Sequence, residues 1–173
     1  MSQYKKIYIV NGMARCGKDT FAGFLNGLVP THKYSSVTKI KEIAEMCGWN
    51  GGKTEKDRRF LSDLKILTTR YSDLAFNDLK ATVDWFITKS PCGVLLIDIR
   101  EPYEIHRAKN EFGAKTILIK NDRVPTISSN MADAGVYDYI YDYIIENNGT
   151  LDEFRNAVIT FAEEEALCIT SLR

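Results

Sequence analysis

The sequence predicts an α/β fold: a parallel sheet of about five strands, joined by helices. Three observations carry this expectation. Short runs of apolar, largely β-branched residues alternate with longer segments of helical period. The runs are apolar throughout rather than at every second position, which suits strands covered on both faces. A length of 173 residues fills one such sheet but not two independent cores, so a single domain over 1–173 is expected.

Each element has its own local reason. Ile7-Tyr8-Ile9-Val10 is the first buried strand, stopped by Asn11-Gly12. Thr20 to Leu28 places Phe21, Phe24, Leu25 and Leu28 on one helical face. A short strand is expected at Tyr34 to Ser36. Val37 to Cys47 follows as a helix, with Ile40, Ile43, Ala44 and Cys47 along one side. Residues 54–90 form a long helical block carrying Leu61, Leu64 and Leu67, then Leu74, Leu79, Val83, Phe86 and Ile87. Gly93 to Ile97, before Asp98, is a second continuous apolar run. Pro102 to Phe112 is a short helix ended by Gly113, and Ala114 to Ile119 is a further strand. Residues 123–136 hold Ser, Asn, Ala and Gly and are expected as a short lid-like loop. Tyr143 to Ile145 completes the strands. Thr150 and Glu153 have the spacing of a capping box, which opens a helix running to about Ala166.

Composition excludes several function classes. With 45% apolar and 27% charged residues, the chain is neither disordered nor low in complexity. Lys plus Arg and Asp plus Glu both number 23, so no net positive field exists to hold a nucleic-acid duplex or an anionic membrane. A bound anion must be held locally. Cys16, Cys47, Cys92 and Cys168 are scattered, without metal or redox spacing, and are expected as reduced thiols of a cytoplasmic protein. The apolar run after Lys6 is too short for a signal peptide or a membrane span.

The strongest motif is Gly12-Met13-Ala14-Arg15-Cys16-Gly17-Lys18-Asp19-Thr20, set between the first strand and the first helix. Gly, four residues, Gly, Lys is phosphate-loop spacing. The glycines let successive N–H groups turn toward phosphate oxygens, and the helix N-terminus adds partial positive charge. Lys18 then reaches the β- and γ-phosphates of a nucleoside triphosphate. Where Ser or Thr usually ligates Mg²⁺, this chain has Asp19, followed by Thr20. A carboxylate facing a triphosphate needs a cation between them, so Asp19 is expected to bind Mg²⁺, with a role as base second. Thr20 as the metal ligand is the alternative.

Asp98 ends a buried strand, at the sheet edge where ligands of open parallel sheets sit, and is expected beside the loop as a further metal-positioning group. Candidate phosphate-holding cations are Arg15, Lys39, Lys41, Arg58, Arg59, Arg100 and Arg123. Arg100 and Arg123 rank first because both follow strand ends. His32 and His106 belong to no cluster. Tyr137, Tyr139, Tyr141 and Tyr143 alternate with other residues, which suits a strand or packing under a lid better than base stacking.

On these residues the chain resembles the P-loop kinases of the nucleoside monophosphate kinase superfamily. Within it, the chain is similar to the deoxynucleoside monophosphate kinase family, with phosphomevalonate kinase as a relative. The resemblance rests on Gly17-Lys18-Asp19-Thr20, on Ser36 to Lys41, on Asp98-Ile99-Arg100 with Glu104, and on Asp142 to Leu151. Arg58-Arg59-Phe60-Leu61 is a looser match to the family's Arg-containing helix. The short loop before residue 136 departs from the pattern, holding no Arg beyond Arg123.

The resemblance implies a three-layer P-loop fold and transfer of the γ-phosphoryl group of Mg²⁺-ATP to a small phosphorylated acceptor, foremost a (deoxy)nucleoside monophosphate. Gly12, Ala14, Arg15, Cys16, Gly17, Lys18, Asp19 and Thr20 would hold the donor. Asp19, Thr20 and Asp98 would place the metal. Lys18, Asp19, Asp98, Arg100 and Arg123 would serve the transfer, and Lys39, Arg58, Arg59 and Arg100 the acceptor, with 54–90 as the acceptor-binding block. A monophosphate needs cations around it, whereas a hydroxyl acceptor needs a carboxylate base. Asp19 and Asp98 leave the second open, so a kinase for another small metabolite is an alternative. A nucleotide-binding regulator without turnover is another, and a homodimer is left open.

Overall fold

A computed structural model of the chain describes residues 5–124 and 135–167. Five parallel strands form one sheet: β1 (Lys6–Asn11), β2 (Thr31–Ser35), β3 (Val94–Asp98), β4 (Lys115–Lys120) and β5 (Tyr143–Glu146), in the order β2-β3-β1-β4-β5. The expected fold class is the observed one. The helices are α1 (Lys18–Leu28), α2 (Thr38–Met46), α3 (Glu55–Ser72), α4 (Leu74–Thr88), α5 (Pro102–Phe112) and α6 (Leu151–Glu164).

The chain forms two compact units, Met1–Lys33 with Pro91–Arg173, and Tyr34–Ser90. The first holds the main core. Tyr8, Val10, Leu96, Ile117 and Ile119 of the inner strands pack with Phe21 and Leu25 of α1 and with Phe154, Val158 and Phe161 of α6. Burying such side chains is worth about 1.5–3 kcal/mol each. The rings of Tyr8 and Tyr143 meet Phe161 edge-on, at 5.2 and 5.1 Å between centroids. The capping box is formed: Thr150 accepts from the Glu153 amide at 3.2 Å, and Glu153 accepts from the Thr150 amide at 2.6 Å.

Strand register decides where the chemistry lies. Val10 pairs with Asp98, and Asn11 with Leu118, so the ends of β1 and β3 lie side by side where the glycine loop begins. At the other end of the sheet, the buried Glu165 carboxylate accepts from Tyr8 at 2.7 Å, from Lys115 at 2.6 Å and from Tyr143. It thereby ties β1, β4 and β5 together at their starts.

Two boundaries differ from expectation. β2 starts at Thr31 rather than Tyr34, because its polar first half, Thr31-His32-Lys33, lies at the edge of the sheet and needs no apolar run. The helical block of the second unit is two helices, divided at Asp73, whose left-handed backbone (φ 51°) no helix can continue. The face expected from the sequence holds for Leu79, Val83 and Phe86 of α4, which are buried. Ile87 is exposed, and α3 buries none of its residues. Of the alternating tyrosines, only Tyr143 lies in a strand. Cys16 and Cys47 are free thiols, while Cys168 lies outside the described residues. Among the described residues no helix is long and apolar enough to cross a membrane.

Candidate active site

The loop from Gly12 to Gly17 turns through three left-handed residues: Gly12 (φ 147°), Arg15 (φ 65°) and Gly17 (φ 110°). Glycine is required at both ends. A Cβ on Gly12 would run into the Ile119 carbonyl oxygen and Cys16 Sγ, and one on Gly17 would stand 2.5 Å from Asn147 Nδ2. Arg15 holds a conformation that costs a non-glycine residue about 1–2 kcal/mol, a form of strain that concentrates at functional turns. Gly17→Ala should therefore lower affinity for a triphosphate analogue by tenfold or more in calorimetry while leaving the circular-dichroism spectrum native. Wild-type affinity would show that the turn does not need glycine there.

Two asparagines hold the loop in place. Asn11 is 1% exposed. Its Oδ1 accepts from the Gly12 amide at 2.8 Å, and its Nδ2 donates to the Arg100 carbonyl at 3.1 Å and to Tyr141 Oη at 2.8 Å. Asn147, just past β5, donates to the Cys16 carbonyl at 2.9 Å. These bonds span the ends of several strands, so the loop is braced before any ligand arrives.

Lys18 opens α1 behind the Gly17 N-cap. Its ammonium folds back over the loop, donating to the carbonyls of Gly12 at 2.6 Å and Met13 at 2.8 Å. Cys16 Sγ lies 3.8 Å from it. Burial raises the Cys16 thiol above its ordinary pKa, against the opposing pull of Lys18. Cys16 is 1% exposed and packs in the core beneath the loop.

Asp19, in the first turn of α1, has a side chain 94% exposed, while Asp98 at the end of β3 is mostly buried. Burial pushes the Asp98 carboxyl above the usual carboxylate range, opposed by Lys33 and Lys18. The Lys33 hydrogen bond holds Asp19 below it. Lys33, from β2, pairs with both: with Asp19 Oδ1, and with Asp98 Oδ2 at 3.1 Å. Asp98 Oδ1 is buried with no hydrogen-bond partner among the described residues. An orphaned carboxylate oxygen next to a second carboxylate, with the Thr20 hydroxyl in the same helical turn as Asp19, fits a hard divalent cation such as Mg²⁺.

The remaining expected residues divide by location. Arg100 follows β3 and presents its carbonyl to Asn11. Arg123 follows β4 and donates to the carbonyls of Asn148 and of Gly149, the latter at 3.3 Å. Lys39 lies on α2, where it pairs with Glu42 at 2.8 Å, and exposed Arg58 and Arg59 lie on α3, all in the second unit. Most of the expected lid, residues 125–134, lies outside the described residues.

Sequence reasoning gave no role in shaping the loop to Asn11, Lys33, Tyr141 or Asn147. The signal for Asn11 and Asn147 was present, a polar residue at the end of an apolar strand. Lys33 had none, since one Lys in a polar stretch looks like any surface charge.

No family model matches the chain, and no curated protein matches it in sequence. Solved structures match its architecture over almost the whole length. TT1252 from Thermus thermophilus aligns at TM-score 0.58 and 14% identity, over 93% of this chain and 98% of that one. Dephospho-CoA kinase from Campylobacter jejuni aligns at 0.55 and 18%, over 92% and 97%. Thymidylate kinase from Candida albicans aligns at 0.50 and 14%, over 95% and 94%. At these identities the likeness is one of fold: the sheet and helices are arranged as in P-loop small-molecule kinases.

Proposed function

We propose that this chain is a Mg²⁺- and ATP-dependent kinase that passes the γ-phosphoryl group to a small phosphorylated acceptor, a (deoxy)nucleoside monophosphate. The observation that carries the reading is the loop itself. An ammonium folds over left-handed glycines at a helix N-terminus, beside the carboxylate that ends the neighbouring strand. The resemblance of Gly17 to Thr20 and of Asp98 to Arg100 to deoxynucleoside monophosphate kinases points the same way.

In this reading Lys18 exchanges its bonds to the Gly12 and Met13 carbonyls for bonds to phosphate oxygens. Its charge is already at the loop, so little reorganisation is needed. The backbone amides of residues 12–18 and the α1 dipole bind the phosphates of the donor. Asp19, Thr20 and Asp98 would hold Mg²⁺, which when bound offsets negative charge on the triphosphate. Arg100 and Arg123 neutralise charge as the phosphoryl group moves, and Lys39, Arg58 and Arg59 serve the acceptor. A monophosphate is already largely ionised at neutral pH, so no group need remove a proton from it. Catalysis is then positioning and charge stabilisation.

One observation favours a second reading. The buried, unpartnered Asp98 Oδ1 would suit a general base for a hydroxyl acceptor on another small metabolite. A single experiment separates the readings. The protein is incubated with Mg²⁺ and γ-labelled ATP against nucleoside monophosphates and against phosphorylated and unphosphorylated alcohols. Label in a nucleoside diphosphate is the expected result; label in a phosphate monoester of an alcohol selects the second reading. ATP binding with no acceptor-dependent ADP from any compound would mean a nucleotide-binding regulator instead.

A further inference from the structure

Lys33 is a charged residue of the site that neither the loop motif nor the expected metal set uses. It comes from β2, which neighbours β3 in the sheet, and its ammonium pairs with Asp98 Oδ2 at 3.1 Å and with Asp19 Oδ1. Asp19 belongs to the first turn of α1 and Asp98 to the end of β3, so three separate elements converge on one cation. Asp19 has no structural need of a partner, since its side chain is almost wholly exposed. Its carboxylate nevertheless meets the same ammonium as Asp98. A single positive charge thus bridges two carboxylates placed here with the metal, and the three groups together keep one negative charge.

We propose that Lys33 is a built-in counter-ion for these carboxylates, holding Asp19 and Asp98 in the absence of metal and competing with a divalent cation for them. The proposal rests on the kinase reading for its metal, but its content is a role for Lys33. A divalent ion offers two positive charges to the pair where Lys33 offers one, so it can win the contest. The two cations repel at close range, and the ammonium must then move off the carboxylates. Lys33 carries a long flexible stem and can turn its charge to the phosphates that arrive with the metal. Metal alone binds weakly in this scheme, because it must evict Lys33 with nothing to receive the ammonium. Metal with nucleotide binds well, because phosphate oxygens receive it. Lys33 would thereby couple metal binding to nucleotide binding, and such coupling is reciprocal.

The test measures Mn²⁺ binding to the nucleotide-free protein, from the paramagnetic resonance signal of free Mn²⁺, for wild type and Lys33→Met. The expected result is about tenfold tighter Mn²⁺ binding in Lys33→Met, within the usual range of coupling between sites. A second expected result is a lower Tm for the variant without metal, restored by Mn²⁺. The gain in affinity should vanish in Lys33→Met combined with Asp98→Asn, which localises it to this carboxylate. Should Lys33→Met fail to fold, Lys33→Gln, which keeps a hydrogen-bond donor for Asp98, is measured in the same way. Mn²⁺ affinity that is unchanged or weaker in the variant, while wild type still binds Mn²⁺ with a non-hydrolysable ATP analogue, overturns the role of Lys33 alone. No Mn²⁺ binding by either protein, with or without that analogue, overturns the metal-dependent kinase reading as well.

Discussion

Lys18→Met is expected to reduce kcat/KM for phosphoryl transfer by a factor of about 10²–10³, the usual cost of removing one preorganised donor to developing charge. Binding of a non-hydrolysable ATP analogue should weaken by about ten- to a hundredfold, since each charge-assisted hydrogen bond is worth about 1.5–3 kcal/mol. Methionine keeps most of the volume of the lysine stem, so the change removes the ammonium and little else. The carbonyls of Gly12 and Met13, both buried residues, lose their donor at 2.6 and 2.8 Å. Stability should therefore fall by about 1–3 kcal/mol, the cost of leaving a buried acceptor unpaired. Calorimetric titration beside urea denaturation separates the two effects. Undiminished affinity for the analogue would show that the loop is not a triphosphate cradle.

The second large effect lies at the far end of the sheet. The Glu165 side chain is 3% exposed and accepts from Tyr8, Lys115 and Tyr143, with Lys6 a further 3.5 Å contact. Burial alone would raise its pKa; the hydrogen bonds from Lys115, Tyr143 and Tyr8 more than offset this and hold it at about 2. Burial, then the bond to Glu165, pushes the Tyr8 hydroxyl upward, and the bonds to Glu165 push up the Tyr143 hydroxyl and the Lys115 ammonium. Glu165→Ala leaves the buried Tyr8 hydroxyl without an acceptor and unties three strands. It should cost about 2–4 kcal/mol, less than a fully buried pair because Lys115 is half exposed and can be resolvated. Against a total of about 5–15 kcal/mol that is a large share, and the urea midpoint at pH 7 measures it.

The pH dependence follows from the direction of the shift. A depressed carboxyl contributes its full stability above the ordinary glutamate pKa of 4.5 and loses it as pH falls toward about 2. Wild type should therefore lose about 3 kcal/mol between pH 4.5 and 2 through this residue. Glu165→Ala should lack that share of the slope. Equal slopes in the two proteins would show that the carboxylate is not the group protonated in this range.

How much of this was legible beforehand depends on the range of the interaction involved. The glycine loop, the apolar strands and the Thr150–Glu153 box are patterns within a few residues, and each stands where the pattern puts it. The position of Asp98 was legible because an acid that ends an apolar run falls at the end of the strand that run forms. The start of β2 was hidden, since an edge strand tolerates the polar residues that otherwise mark a loop. The break at Asp73 was hidden for the opposite reason: the apolar spacing continues through it, and only the backbone conformation of one residue ends the helix.

What the sequence determined by itself is the α/β architecture and a glycine loop turning into a helix N-terminus, because both follow from near-neighbour sterics and periodicity. The tertiary structure decided how that loop is braced and where charge is neutralised. Asn147 reaches the loop across 131 positions, Glu165 reaches Tyr8 across 157, and Lys33 meets Asp98 only because β2 and β3 are neighbours in the sheet. A lone asparagine, glutamate or lysine has no local signature. Its partner exists only once strand order has brought distant segments within hydrogen-bond length.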